Sequence, residues 1–372
     1  MRRTLLLLAL LCSWHALLSQ PRSPFGGTHD DSDITAYWYN VPKDSLRIVV
    51  MGQTLQFHST LEIYGQAPSD SFAVSASVSM PDGSWGTSRE YVVQKGKKDP
   101  SYQVQWRGKF FKLITSASYK PVPPAKILVA VQSGLNRRTK EIACRYHRLS
   151  GKIADFEGKP FRAVVLVRPD DFDGTAGVWS DAAGNYSILL PERIYSNIFV
   201  DDESYGLKTA EAWGWHIIAD ADQTLDFKVG TGEVYNLIVW PNNGGARTYF
   251  LSFRPMSVFF YQNQPPQTSV TIEEKSYDVL DVAPRLKSNE ITVRFNGKEA
   301  PIVSLQKYYE WTSGRVMPAY LLQVSRENLE NIGKQSVIVE YQSESELGGK
   351  KVVHTSTGVF QFYPNFSGLS FY

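Results

Sequence analysis

Tyr308-Tyr309-Glu310-Trp311-Thr312-Ser313-Gly314-Arg315 sets three aromatic rings, a carboxylate and a guanidinium into one short run that ends in a turn. An exposed ring offers a flat apolar face, and Tyr or Trp adds a polar edge, which is the chemistry that stacks on a sugar ring or a peptide side chain. Side chains alternate along a strand, so Tyr309 and Trp311 share one side and Tyr308 points to the other. Tyr308, Tyr309 and Trp311 are therefore the candidate ligand-binding residues, with at least one ring expected to anchor the loop. The other aromatic positions read as packing. Trp213 and Trp215 are expected to share a strand face with Ile217 and to be buried, and Trp179 and Tyr186 are expected to pack on either side of the Asp181 to Gly184 turn.

Catalytic groups are hard to assemble from this chain. Zinc needs clustered imidazole, thiolate or carboxylate ligands, and His29, His58, His147, His216 and His354 stand far apart with no HxxxH or CxxC spacing. Asp170-Asp171-Phe172-Asp173-Gly174 and Asp220-Ala221-Asp222 bring carboxylates together as calcium loops do. Neither completes the EF-hand pattern, because the glycine and glutamate places counted from Asp171 hold Ala176 and Ala182. There is no G-x-S-x-G elbow, Walker loop or dinucleotide fingerprint. A glycosidase needs two carboxylates a fixed distance apart in a cleft, and no spacing in the sequence selects such a pair. No catalytic residue, metal ligand or cofactor is expected.

The elements that must hold these residues are strands. Period-two runs and turn dipeptides recur while helix-period patterns are nearly absent, and 13% aromatic content suits half-buried pleated surfaces. The clearest hairpin is Glu290 to Phe295, Asn296-Gly297, Lys298 to Leu305. Val258 to Tyr261 reads as a strand. One helix is expected, with Ser325 as N-cap, Leu329 and Ile332 inward and Gly333 as its stop. The strands group into residues 20–148, an Ig-like or macroglobulin-like sandwich, residues 149–230, and residues 231–372. Pro265-Pro266 offers an alternative to the boundary near 231.

Within 149–230, Gly151 opens a strand and Gly158-Lys159-Pro160 precedes the strand Phe161 to Val167. Ser180-Asp181-Ala182-Ala183-Gly184-Asn185-Tyr186 then leads into Ser187 to Leu190. This run resembles the carboxypeptidase-regulatory-type β-sandwich, related to transthyretin. The resemblance implies a small accessory module with no active site of its own. In metallocarboxypeptidases such a module follows a zinc-binding catalytic domain, and no segment here resembles that domain.

Met1-Arg2-Arg3, the apolar run Leu5 to Leu11 and the small Ser19 have the layout of a secretory signal peptide spanning residues 1–19, with Gln20 as the expected mature start. Lipid attachment at Cys12 is disfavoured by Leu11 before it, and the apolar run is too short for a membrane span. The chain has 39 Lys and Arg against 37 Asp and Glu, and losing Arg2 and Arg3 makes it formally neutral. That leaves no sign-dominated field to draw in nucleic acid or an anionic membrane surface. Cys144 alone remains, so no intramolecular disulfide is available and apolar cores must supply the stability. Asn185-Tyr186-Ser187 and Asn365-Phe366-Ser367 match the glycosylation sequon by chance. The expectation is an all-β protein of tandem Ig-like/transthyretin-like β-sandwich domains, secreted or at a bacterial cell surface. It binds or scaffolds without catalysis, and its partner is a glycan or a protein. The competing classes are a carbohydrate-active hydrolase with paired carboxylates and a ligand-free spacer.

Overall fold

The structure is a computed structural model that describes residues 45–364, apart from 54–58, 86–87, 118–124, 169–175, 243, 245, 264–266, 313, 328 and 330–331. The leader, Asp170 to Gly174 and the sequon at Asn365 fall outside the described residues.

The N-terminal section contains β1 (Leu46–Gln53), β2 (Ser59–Gln66), β3 (Ser71–Ser79) and β4 (Arg89–Gln94). It continues with β5 (Tyr102–Arg107), β6 (Phe110–Ala117), β7 (Lys126–Ser133) and β8 (Asn136–Ala143). They form two sheets, β1-β2-β6-β5 and β4-β3-β7-β8. Alternate residues such as Leu61, Ile63, Phe72, Val74, Phe111 and Leu113 fill the space between them. This is the period-two pattern acting as read: one face of each strand is apolar and can leave water only against another sheet.

The middle section runs through β9 (Tyr146–Ala154), β10 (Val164–Arg168), β11 (Ala176–Trp179) and β12 (Asn185–Pro191). It then forms β13 (Arg193–Asp201), β14 (Ala212–Ala219) and the two-residue strands β15 (Gln223–Thr224) and β16 (Phe227–Lys228). Sheet β12-β9, with β15 and β16 running parallel to β9, packs on β11-β10-β13-β14 around Leu149, Val165, Tyr186, Ile188, Ile198 and Phe227. Gly151 lies inside β9 because a Cβ there would stand 1.9 Å from the carbonyl oxygen of Leu225. Tyr186 closes the same contact by donating its hydroxyl to that oxygen at 2.7 Å.

The C-terminal section begins with β17 (Gly232–Pro241), β18 (Thr248–Ser257) and α1 (Val258–Asn263). The hairpin β19 (Thr268–Ile272) and β20 (Lys275–Val279) follows, then β21 (Ile291–Phe295) and the short β22 (Lys298–Glu299). Four long strands complete it: β23 (Ile302–Thr312), β24 (Arg315–Ser325), β25 (Gln335–Leu347) and β26 (Lys350–Phe362). One sheet has the order β17-β18-β24-β20-β19, with β23 on the far side of β24. The other is continuous with the middle section, in the order β11-β10-β13-β14-β26-β25-β21-β22.

The join is a parallel pairing of β14 with β26 through Trp213 and Gly358, Gly214 and Val359, and Trp215 and Phe360. β26 consequently serves two cores, with Val359 in the middle one and Phe360 and Phe362 in the C-terminal one. That explains an uninterrupted buried run from His354 to Phe362 where a half-buried strand would alternate. The fold class is the expected one, all-β with tandem sandwiches.

Local expectations differ in five places. Val258 to Tyr261 is helical, because the Ser257 hydroxyl accepts the Phe259 N–H at 3.2 Å and the Val258 N–H is taken by the Thr231 carbonyl at 3.0 Å. The helix expected after Ser325 is absent among the described residues: β24 holds Ser325 against Thr248, the Ser325 N–H bonds Pro301, and Ile332 is 83% exposed. Ser325 still accepts an N–H, from Glu327 at 3.4 Å, while residues 328, 330 and 331 of the expected helix lie outside the described residues. The Asn296-Gly297 turn has the positive φ values of its type, 47° and 80°. Its return strand stops at Glu299, however, and beyond Pro301 the chain leaves to pair with β24.

The last two differences concern tryptophans. Trp213 and Trp215 do not share a face with Ile217, because His216 has φ 52° and inverts the alternation. Trp213 is buried with Val164, Leu166 and Phe199, while Ile217 enters the opposite core. Trp179 is exposed under the Arg162 guanidinium rather than packed.

Candidate functional site: an outward aromatic face

β23 is an edge strand, joined only to β24 among the described strands. Cross-strand neighbours are Tyr308 and Ala319, Tyr309 and Pro318, and Trp311 and Val316. The three expected residues are thereby divided between two faces. Trp311 is 56% exposed next to the turn. Tyr309, on the same side, is half-buried with the Lys307 ammonium 5.0 Å from its ring centre. Tyr308 faces the opposite way. Burial, and then the charge of Glu310, raises its phenol above the usual range, while the Ser252 hydroxyl donates to it.

The Tyr308 face continues across the sheet. β18 alternates strictly: Tyr249, Leu251 and Phe253 enter the core, so Phe250, Ser252 and Arg254 turn outward. Phe250 pairs with Trp240 of β17, and the rings stack at 5.8 Å and 28°. Ser252 pairs with Ile238 on one side and Leu321 on the other, and Leu321 pairs with Gln306 of β23. In the next row the Arg254 Nε lies 3.0 Å from the Glu310 carboxylate, which also accepts from the Asn236 amide at 3.3 Å. Asn236 reaches it because a bulge between Tyr235 and Ile238 sets its φ at 53°, a conformation asparagine tolerates.

The bulge also aims Tyr235 toward the middle section. The Arg254 guanidinium sits 4.7 Å from its ring centre, and the ring stands edge-on to Trp215 at 5.1 Å and to Trp213 at 5.3 Å. The two indoles stack at 4.8 Å and 16°. Desolvation pushes the Tyr235 phenol up to about 12, against the pull of Arg254. Trp213, Trp215 and Tyr235 form one ring cluster, Trp240 and Phe250 a second, and Tyr308 stands on the outward side of the sheet across β24 from Phe250. The sequence pointed to Tyr308 and missed Trp240, Phe250 and Tyr235. Phe250 and Trp240 are brought together by the β17–β18 register and not by any local signal.

The ionised groups of this face neutralise each other in the Arg254–Glu310 pair, and its remaining polar groups, Gln306, Gln323, Ser252 and Asn236, are uncharged donors and acceptors. Among the described residues no three His, Cys, Asp or Glu side chains are arranged to hold a metal. At the Asp220-Ala221-Asp222 loop, Asp220 bonds Lys334 at 2.6 Å and also Tyr363, while Asp222 accepts the Arg148 N–H at 2.7 Å. A shallow groove on β25 is lined by Glu290, Glu340 and Glu344. Those carboxylates are engaged by the Lys287 N–H, Lys228 and Lys351 respectively.

No family model matches the chain, and no curated protein does. Among solved structures it is similar to domains D2 and D3 of the major pilin SpaD from Corynebacterium diphtheriae, with 11% identity, 49% of this chain and 98% of that chain covered, and a TM-score of 0.20. The major pilin subunit BcpA of Bacillus cereus gives 12% identity, 50% and 70% coverage, and a TM-score of 0.20. The Bacillus anthracis TIE protein gives 11% identity, 87% and 74% coverage, and a TM-score of 0.19. Likeness at such scores fixes neither fold nor function, and the sandwich architecture rests on the sheets described above.

Proposed function

We propose that this chain is a secreted or cell-surface bacterial protein that binds without catalysis, its sandwiches presenting the Trp240–Phe250–Tyr308 face to a glycan. The observation behind this reading is that Trp240 and Phe250 face outward on neighbouring strands, with Tyr308 on the same side of the sheet beyond β24 and uncharged hydrogen-bonding groups between them. Rings stack on the C–H faces of sugars, and amides and hydroxyls match sugar hydroxyls. A partner protein is the alternative occupant of the same face. The likeness of residues 149–230 to the carboxypeptidase-regulatory-type module fits an accessory role, and the leader fits export. The charges of the face are internally paired, which leaves no free acid or base there. A glycan array probed with the mature chain tests the reading. Retention of glycans by the wild type and its loss in Trp240→Ala, with an unchanged melting temperature, supports it. Glycan hydrolysis, or binding indifferent to Trp240 and Tyr308, overturns it.

A further inference from the structure

Asp201 at the end of β13, Glu211 just before β14 and Glu233 in β17 converge where the middle and C-terminal sections meet, and they are 8%, 5% and 9% exposed. Glu233 accepts the Trp213 indole N–H at 3.3 Å. Its carboxyl lies beside that of Glu211, and Tyr205 neighbours Glu211 in turn. Two neighbouring buried carboxylates repel each other unless one of them carries a proton. The second oxygen of Glu211, buried, has no donor. An orphaned acceptor in such a place costs about 1–3 kcal/mol unless a donor is supplied.

Charge counting gives the same answer. The guanidinium beside Glu211 is Arg168 of β10, held 5.2 Å from the Phe199 ring centre, and it offsets one carboxylate. Asp202 adds a further negative charge beside Asp201. Tyr341 of β25 approaches from below, donating its hydroxyl to the Glu233 carbonyl at 3.3 Å. Beyond Tyr235, Arg254 is paired with Glu310. One positive charge, beside Glu211, is therefore set against three buried carboxyl groups, and the missing compensation is a proton.

We propose that the joint between the middle and C-terminal sections is closed by protons held on Glu233 and Asp201 where they meet Glu211, and that it loosens as those protons leave. Burial, and then the charge of Glu211, raises Asp201 to about 9, and the same two causes raise Glu233 well above the carboxylate range. The sign follows from proton counting. Unfolded carboxyls ionise near 4, so between that pH and about 9 the closed state holds more protons than the open one. Closure is therefore favoured by acid and weakened as pH rises. Each proton released on opening makes the opening constant grow up to about tenfold per pH unit.

The joint is read through the parallel β14–β26 pairing, by amide hydrogen exchange of Gly214, Trp215 and Phe360 in the full mature chain between pH 6.5 and 9, corrected for intrinsic base catalysis. In the wild type the corrected opening constant should rise by at least about tenfold over that range, given one proton released. Glu233→Gln keeps an acceptor for Trp213 and gives Glu211 an N–H donor that does not titrate, so its opening should rise less steeply with pH than that of the wild type, with Asp201 left to release its proton. Infrared spectra at pH 7 should show a protonated-carboxyl C=O stretch in the wild type that weakens in Glu233→Gln and Asp201→Asn. Equal corrected pH dependence in wild type and Glu233→Gln, or the absence of that band, would overturn the proposal. If Glu233→Gln fails to fold, the Asp201→Asn exchange profile and the wild-type band decide between the same two results.

Discussion

Lys112 and Glu62 lie 3.4 Å apart on adjacent strands β6 and β2, with neither side chain exposed to solvent. The Tyr64 hydroxyl donates to the same carboxylate at 2.5 Å, and the Lys112 ammonium stands 5.2 Å from the Tyr64 ring centre. Removing one partner of such a pair strands a charge, whereas replacing both costs far less. Glu62→Gln should therefore destabilise the protein by about 3–5 kcal/mol. Adding Lys112→Met should recover part of that loss, since Gln still accepts from Tyr64. Urea denaturation of the single and double variants checks the order, and a double variant weaker than the single one would contradict it.

His354 gives stability an acid limit. It is wholly buried, its Nδ1 lies 2.7 Å from the Ser257 hydroxyl, and the Phe260 ring stacks on it at 4.9 Å. Burial lowers it from the ordinary 6.5 to about 4. The unfolded chain takes up a proton in that interval that the folded chain refuses, so this contribution is complete above pH 6.5 and falls away as pH drops toward 4. The buried acids at the joint slope the other way. The informative quantity is thus the difference between wild type and His354→Gln, which should grow more favourable to the variant from pH 7 to 4.5. A difference that stays constant with pH would remove His354 from the account.

The strand pattern was legible because alternation is a local property: β3, β18 and β25 read from their residues alone. What stayed hidden depended on partners far away in sequence. Nothing near Pro301 shows that β23 will leave Lys298 and Glu299 to join β24, and nothing near Trp213 shows that Gly358 will lie beside it. Val258-Phe259-Phe260-Tyr261 has strand composition, and only the bonds of Ser257 and Thr231 turn it into a helix. At the candidate site, Tyr308 announced itself through consecutive rings. Trp240 and Phe250 are ordinary strand residues until the β17–β18 register sets them side by side. The acids Asp201, Glu211 and Glu233 carry no spacing signature at all, because a bulge, a loop and a sheet join bring them together.

Gly151 tests the packing of β9. An added Cβ would meet the Leu225 carbonyl oxygen at 1.9 Å and its carbon at 2.7 Å, and backbone cannot swing aside as a side chain can. Gly151→Ala should cost at least about 1–3 kcal/mol, the usual range for overpacking. Thermal unfolding within a degree of wild type would show that β15 and β16 yield more readily than their pairing implies.

Trp311 separates the two faces of β23. At 56% exposed it contributes little to the core, so Trp311→Ala should change stability by no more than about 0.5 kcal/mol. Since it lies on the side opposite Tyr308, it should also leave glycan binding through the Trp240 face intact. A loss of several kcal/mol would return the ring to a packing role, and a loss of binding would move the site to the Tyr309 side.

The most direct test of the binding reading is isothermal titration of the mature chain with an oligosaccharide retained on the array, comparing wild type, Trp240→Ala and Tyr308→Ala. Each variant should weaken binding by more than about 1 kcal/mol, roughly fivefold or more, while its melting temperature stays near that of wild type. Unchanged affinity in both variants, or an array on which the wild type retains no glycan, would contradict the account.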